Sequence, residues 1–131
     1  DKTGTLTEGR PDMSDIATVA GASEDRVLGL AAAIERGSEH PLAAAVIRAA
    51  MERGVPVEHA AGVEVEAGLG LRGLVDGAQV AAGSARFMET LNVDISMLAE
   101  ASETYSDAGA TLLYVAHDGV AIGLLDRKSV V

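Results

Sequence analysis

Gly68-Leu69-Gly70-Leu71-Arg72-Gly73-Leu74-Val75-Asp76-Gly77 is the stretch on which the fold turns. Its first six residues spell Gly-x-Gly-x-x-Gly, the pattern that closes a strand and opens a helix on a dinucleotide in a doubly wound parallel fold. No helical pattern follows here. Leu74-Val75 runs straight into Asp76-Gly77, a two-residue hairpin signal, and Ala78-Gln79-Val80-Ala81-Ala82-Gly83 reads as the return strand. Upstream, Ala61-Gly62-Val63-Glu64-Val65-Glu66-Ala67 alternates apolar and acidic residues, as a half-buried strand does. The glycines therefore lie between antiparallel strands. Gly68 and Gly70 become positions where a ligand can approach backbone with no Cβ in the way. Gly73 reads as a structural strand glycine.

Outward from this hairpin the elements follow in both directions. Ser84 is placed to N-cap a short helix through Arg86-Phe87-Met88, with Phe87, the single phenylalanine, assigned to the core. A further helix is expected from Asp94 to Ala108, with Ile95, Leu98, Ala99 and Ser102 on a shared side, ended by Gly109. Thr111 to Ala116 and Val120 to Leu125 are strands joined at Asp118-Gly119. Toward the N-terminus, Ser14 to Val19 is a short strand. Ser23 then caps a helix with Glu24 and Asp25 in its first turn and Val27, Leu30, Ala31 and Ile34 on one face. Gly37 ends that helix, Pro41 begins another, and Leu42, Ala45, Val46, Ala49 and Ala50 form its stripe up to Gly54. The fold class expected is α+β, an antiparallel sheet of about six strands flanked by a helical hairpin and a further helix, with its polar face outward.

Composition narrows the functions. With 131 residues, 48% hydrophobic and 23% charged, the chain can bury one full core. Aromatics are only 2%, so that core rests on Ala, Val, Leu and Ile. A formal charge of −10 disfavours a nucleic-acid surface and an anionic membrane surface, while leaving a local nucleotide site open. Zero cysteines remove disulfides and thiolate metal sites. Apolar runs such as Leu30 to Ile34 fall far below the roughly 20 residues needed to span a bilayer. His59 and His117 read as surface residues.

Two strings remain, and both carry chemistry. Between the two helices lies Gly37-Ser38-Glu39-His40-Pro41-Leu42-Ala43. His40 precedes proline, which biases it to extended backbone and lifts the imidazole into a loop. Alone, such a histidine reads as a surface or capping residue. The chain opens on Asp1-Lys2-Thr3-Gly4-Thr5-Leu6-Thr7. A carboxylate so placed suits attack on the terminal phosphate of ATP, giving an aspartyl phosphate. Lys2 offsets phosphate charge, while Thr3 and the Gly4-Thr5 turn offer hydroxyl and N–H donors to the phosphoryl oxygens.

The opening run resembles the phosphorylation motif of the P-type ATPases, ion pumps that pass through a phosphoenzyme. The Ser-Glu-His-Pro-Leu-Ala string resembles the signature of their heavy-metal (type IB) branch. Taken together, the chain resembles the nucleotide-binding domain of such a pump from Asp1 to about Asp126, with the copper and silver exporters favoured over zinc and cadmium. The resemblance implies Asp1 as phosphorylated nucleophile, assisted by Lys2 and Thr3, and Glu39 and His40 on the adenine. It implies Gly68, Gly70, Leu71, Gly83 and Ser84 along the nucleotide. The implied cofactors are ATP and Mg2+, with Asp1 and Thr3 as Mg2+ ligands in the parent and no site here for the transported ion.

Implied partners are the phosphorylation, actuator and membrane domains of the same pump, with this domain on the cytoplasmic side. Residues 1–12 would be a remnant of the phosphorylation domain, 13–126 the nucleotide-binding domain and 127–131 a tail outside the family pattern. A chain opening on its own nucleophile is expected to be a piece of a larger membrane protein. By itself it is expected to bind ATP and to be catalytically incomplete. One departure is Ser84, where the family usually has Asn: a hydroxyl still donates to a ribose or phosphate oxygen but reaches less far. Two rivals are an independent phosphatase of the dehalogenase type and a non-catalytic nucleotide-binding module. The phosphatase is opposed by Thr3, which stands where such enzymes carry a second aspartate as proton shuttle.

Overall fold

A computed structural model describes residues 11–19, 21–37, 41–107 and 111–129. Five strands form a continuous antiparallel meander: β2 (Ala60–Glu66), β3 (Gly70–Val75), β4 (Ala78–Gly83), β5 (Thr111–His117) and β6 (Val120–Ser129). The strand β1 (Pro11–Thr18) joins beyond β6, so the sheet order is β1-β6-β5-β4-β3-β2. Both two-residue turns take left-handed backbone at each centre, with φ of 56° and 82° at Asp76-Gly77 and 52° and 82° at Asp118-Gly119. That geometry follows the right-handed twist of the strands, which is why Asp-Gly occurs at both. The turns are also tied together. Asp118 N donates to Gln79 O at 2.7 Å, and Gln79 N donates to Asp118 Oδ1 at 3.3 Å.

The helical hairpin α1 (Glu24–Glu35) and α2 (Pro41–Glu52) packs on one face of this sheet. Ser23 caps α1 by accepting from Arg26 N at 3.0 Å, worth about 1 kcal/mol. Arg53, just past α2, reaches Glu24 at 3.3 Å and Asp25 at 3.8 Å, an exposed clasp that contributes little beyond closing the hairpin. The sequence puts one face of α1 in the core, yet every residue from Val27 to Glu35 is buried. The sheet lies beneath this helix and α2 beside it, while Val55-Pro56 comes in over Gly29. A Cβ at Gly29 would stand 3.1 Å from Pro56 O. A helix apolar on all sides is a buried helix, and α1 has become the centre of the main core.

Helices cover the other face too. There α3 (Ala85–Thr90), a 3-10 turn (Ser96–Leu98) and α4 (Ala99–Asp107) bury Phe87, Met88 and Leu98 against Ala81, Tyr114, Ala116 and Leu124. The central strands are therefore buried on both sides: Val80 and Ala82 join one core and Ala81 the other. Their unbroken apolar runs permit nothing else. Only the outer strands keep the expected polar face, where Arg72 pairs with Glu64 at 3.3 Å and Glu66 at 3.5 Å. The helix expected from Asp94 begins late. Asp94 Oδ1 instead accepts from Ser96 N at 2.9 Å, starting the 3-10 turn before α4. At the far edge, β1 starts at Pro11 and β6 runs on to Ser129 because the two strands pair with each other from Pro11↔Ser129 to Thr18↔Gly123.

Candidate functional site

Of the residues expected at the site, Asp1, Lys2, Thr3, Glu39 and His40 lie outside the described residues. The other five come together at one end of β3 and β4. Gly70 and Gly83 face each other in register, and Ser84 N donates to Leu69 O at 2.9 Å. Leu71 turns to the opposite face and is buried beneath the helical hairpin. Ser84 caps α3, its Oγ accepting from Phe87 N at 3.1 Å, which leaves the hydroxyl proton for a further acceptor. Gly68 sits in the turn before β3 with φ of 77° and nothing near the place a Cβ would take.

The two glycines are thus unlike. A side chain on Gly70 would meet the backbone of Ala82 and Gly83, with Phe87 Cδ2 only 2.7 Å away. One on Gly83 would meet Leu69 O, and Phe87 Cδ2 at 2.6 Å. The Phe87 ring fills the room these glycines leave, so their missing Cβ serves packing under α3, a reason the sequence did not disclose. Gly68 keeps its open side. Gly73 behaves as the strand glycine expected, close against Val63 and Ala61 O at 3.1 Å.

On the hairpin face, Gly37 rests against β2: a Cβ there would come 3.0 Å from Val63 Cγ1. The connection leaving α1 therefore starts over the strand that leads into the Gly68 turn. Two residues earlier stands Glu35, the last residue of α1 and only 4% exposed. A carboxylate is costly to bury unless it is partnered, and Glu35 makes an interaction of its own. Sequence reasoning missed it. The signal was present, because Val27, Ala31 and Glu35 recur at intervals of four and so share the buried side of α1.

A cavity of about 330 Å³ opens elsewhere, on the α3 face near the two hairpin turns, lined by Glu64, Arg72, Leu74, Gln79, Leu91 and Val93 among others. None of the expected site residues lines it. Among the described residues no group of three His, Cys, Asp or Glu could hold a metal ion. Asp1 and Thr3, the Mg2+ ligands that the resemblance implies, lie outside the described residues. No helix of the described residues is long and apolar enough to cross a membrane.

Known proteins supply the context for this geometry. The sequence matches the haloacid dehalogenase-like hydrolase family over residues 1–130. It is 46% identical over 125 residues to a copper-transporting P-type ATPase of Rhizobium leguminosarum bv. viciae, covering 95% of this chain and 15% of that protein. The fold superposes on a zinc-transporting PIB-type ATPase in its E2.Pi state with a TM-score of 0.84 and 30% identity, over 99% of this chain and 21% of the other. It also superposes on the N-domain of HMA8, a copper-transporting P-type ATPase, with a TM-score of 0.73 and 27% identity, over 87% of this chain and 97% of that domain. The chain thus spans a small part of the full-length relatives and nearly all of an isolated N-domain. It belongs to the haloacid dehalogenase-like hydrolase family, with copper-transporting P-type ATPases among its homologues.

Proposed function

We propose that this chain is the ATP-binding domain of a P-type ATPase that exports a heavy metal, copper before zinc or cadmium. The likeness of 125 residues to a copper-transporting P-type ATPase, at 46% identity, is the observation that carries this reading. In this reading His40 stacks on the adenine and Glu39 accepts from its exocyclic amine. Gly68 borders the nucleotide from the turn before β3, Gly83 and Ser84 border it from the end of β4, and Gly70 and the buried Leu71 shape the strand pair between them. Asp1 then attacks: a carboxylate oxygen bonds to the γ-phosphorus, the bond from that phosphorus to the bridging oxygen breaks, and ADP leaves with the electron pair. Lys2 offsets the charge. Thr3 cannot deliver water as an aspartate would, so the acyl phosphate persists long enough to drive transport.

The parent would sit in a membrane with this domain on the cytoplasmic side, docking against its own phosphorylation, actuator and membrane domains. Residues 1–12 would belong to the phosphorylation domain. Alone, the 131-residue chain would bind ATP without completing the cycle. Calorimetry with ATP, ADP and AMP tests the reading. His40→Ala is expected to weaken all three nucleotides by about tenfold, since it removes one contact to a base that the three share. A His40→Ala protein that bound ATP as tightly as wild type would remove the adenine assignment.

A further inference from the structure

On the α3 face the cover stops short of the hairpin turns. Phe87 fills the space beside Gly70 and Gly83, at one end of β3 and β4. Toward the Asp76-Gly77 end the floor is Ala81 and Ala116, whose small side chains leave room, and Leu74 stays 43% exposed. The cavity of about 330 Å³ lies there, and its borders are held in shape. Leu91 and Val93 form one wall. Leu91 N donates to Phe87 O at 3.0 Å and Val93 N to Met88 O at 2.8 Å, with left-handed Asn92 between them. The tie between Gln79 and Asp118 fixes the turns at the opposite border. The rim is acidic. Glu64 lines the cavity, Glu66 shares Arg72 with it, and Asp94 and Asp118 adjoin the lining residues Val93 and Gly119. Among the described residues Arg72 is the one basic side chain that lines it, and both glutamates already engage that guanidinium. His117 adjoins Ala116 but turns to the other face by the alternation along β5.

We infer that this cavity docks a basic protein segment, which seats one bulky apolar side chain against Leu74, Leu91 and Val93 while flanking lysines or arginines meet the acidic rim. Size supports a side chain as the occupant, because ligand pockets begin at about 300 Å³ and this one stands at that lower end. Sign supports a cationic one. Four carboxylates against one guanidinium leave the rim negative, which draws a basic segment and repels an acidic segment or a nucleic acid. The wall and turns are already tied in place, so little ordering opposes docking. Leu74 pairs with Gln79 at this end of β3 and β4, whereas Gly70 pairs with Gly83 at the other. None of the residues expected on the nucleotide lines the cavity, so the chain can hold a segment and a nucleotide together. The inference therefore stands apart from the nucleotide-binding reading and adds a partner to it.

The test is an NMR titration of the isotope-labelled 131-residue chain with two peptides. One is acetyl-Lys-Lys-Leu-Phe-Lys-Lys-amide, and the other, acetyl-Glu-Glu-Leu-Phe-Glu-Glu-amide, reverses its charge. The basic peptide is expected to give saturable shifts at the amides of Leu74, Gln79, Leu91 and Val93, and the acidic one to bind at least about tenfold more weakly. Leu74→Thr, which keeps a strand-favouring residue at an exposed position, is expected to weaken the basic peptide by about fivefold. Val120→Thr, exposed on the opposite face, is expected to change nothing, and ATP affinity to stay the same in both variants. Absence of saturable shifts at those amides overturns the inference. So does equal affinity for the two peptides, or a folded Leu74→Thr protein that binds the basic peptide as wild type does. Shifts there that follow protein concentration without peptide would give this face to a second copy of the chain, and would overturn it too. The nucleotide-binding reading survives each of these results, since its own test is His40→Ala.

Discussion

Gly70 and Gly83 show how one residue type can answer to two needs. As sequence, Gly-x-Gly suggests backbone bared for a ligand, but the two positions have different surroundings in the fold. Gly70 is packed against the facing strand and the Phe87 ring, whereas Gly68 has open space and left-handed backbone. Their alanine variants should therefore separate. Gly70→Ala forces a methyl into backbone that cannot yield, and is expected to cost about 1–3 kcal/mol, as overpacking does. Gly68→Ala meets no atom and pays only for its φ, about 1 kcal/mol. Thermal unfolding should then show the larger fall in melting temperature for Gly70→Ala. If the two variants melt together, the packing account of Gly70 is wrong. Glu35 is the complementary lesson: its spacing from Val27 and Ala31 was visible, but a charged residue after an apolar run reads first as a helix end.

At the scale of elements, what was legible depended on whether a segment's partners were local. Both Asp-Gly hairpins, the Ser23 and Ser84 caps and the Pro41 start were readable because each is decided within about four residues. The full extents of β1 and β6 were not, because Pro11 to Thr18 is extended by pairing with a strand more than a hundred positions away. The start of α4 failed for a different reason. Asp94 was read as the first residue of a long helix, but its carboxylate holds Ser96 N and spends the first turn as 3-10. That hydrogen bond from the Ser96 backbone, with a further one from its side chain, holds the Asp94 carboxyl below its usual range. A depressed acid stabilises the fold above its unfolded pKa, near 3.9, and that contribution is lost as pH falls through the lower folded value. NMR titration should find Asp94 still ionised when ordinary aspartates have half protonated, and Asp94→Ala should erase the Ser96 amide shift that follows it. An Asp94 titrating at the ordinary value would refute this account of the 3-10 turn.

The molecule as a whole carries a formal charge of −10, and its proposed ligand is a polyanion. Long-range electrostatics must then oppose binding, so affinity has to come from contacts on the base, through the string around His40. Exposed Arg72 does not relieve this, since Glu64 and Glu66 already hold it on the other face. Added salt screens repulsion between like charges as well as attraction between unlike ones, with a Debye length of about 10 Å at 0.1 M. Raising sodium chloride from about 20 to about 200 mM is therefore expected to leave the ATP dissociation constant unchanged or to lower it slightly. Adenosine, which has no phosphate, should show no salt dependence. A phosphate site built from clustered lysines would behave in the opposite way, losing affinity steeply as salt rises. Calorimetry at the two salt concentrations distinguishes the cases. A loss of about tenfold in ATP affinity on adding salt would mean that phosphate charge, and not the purine, is what this fold grips.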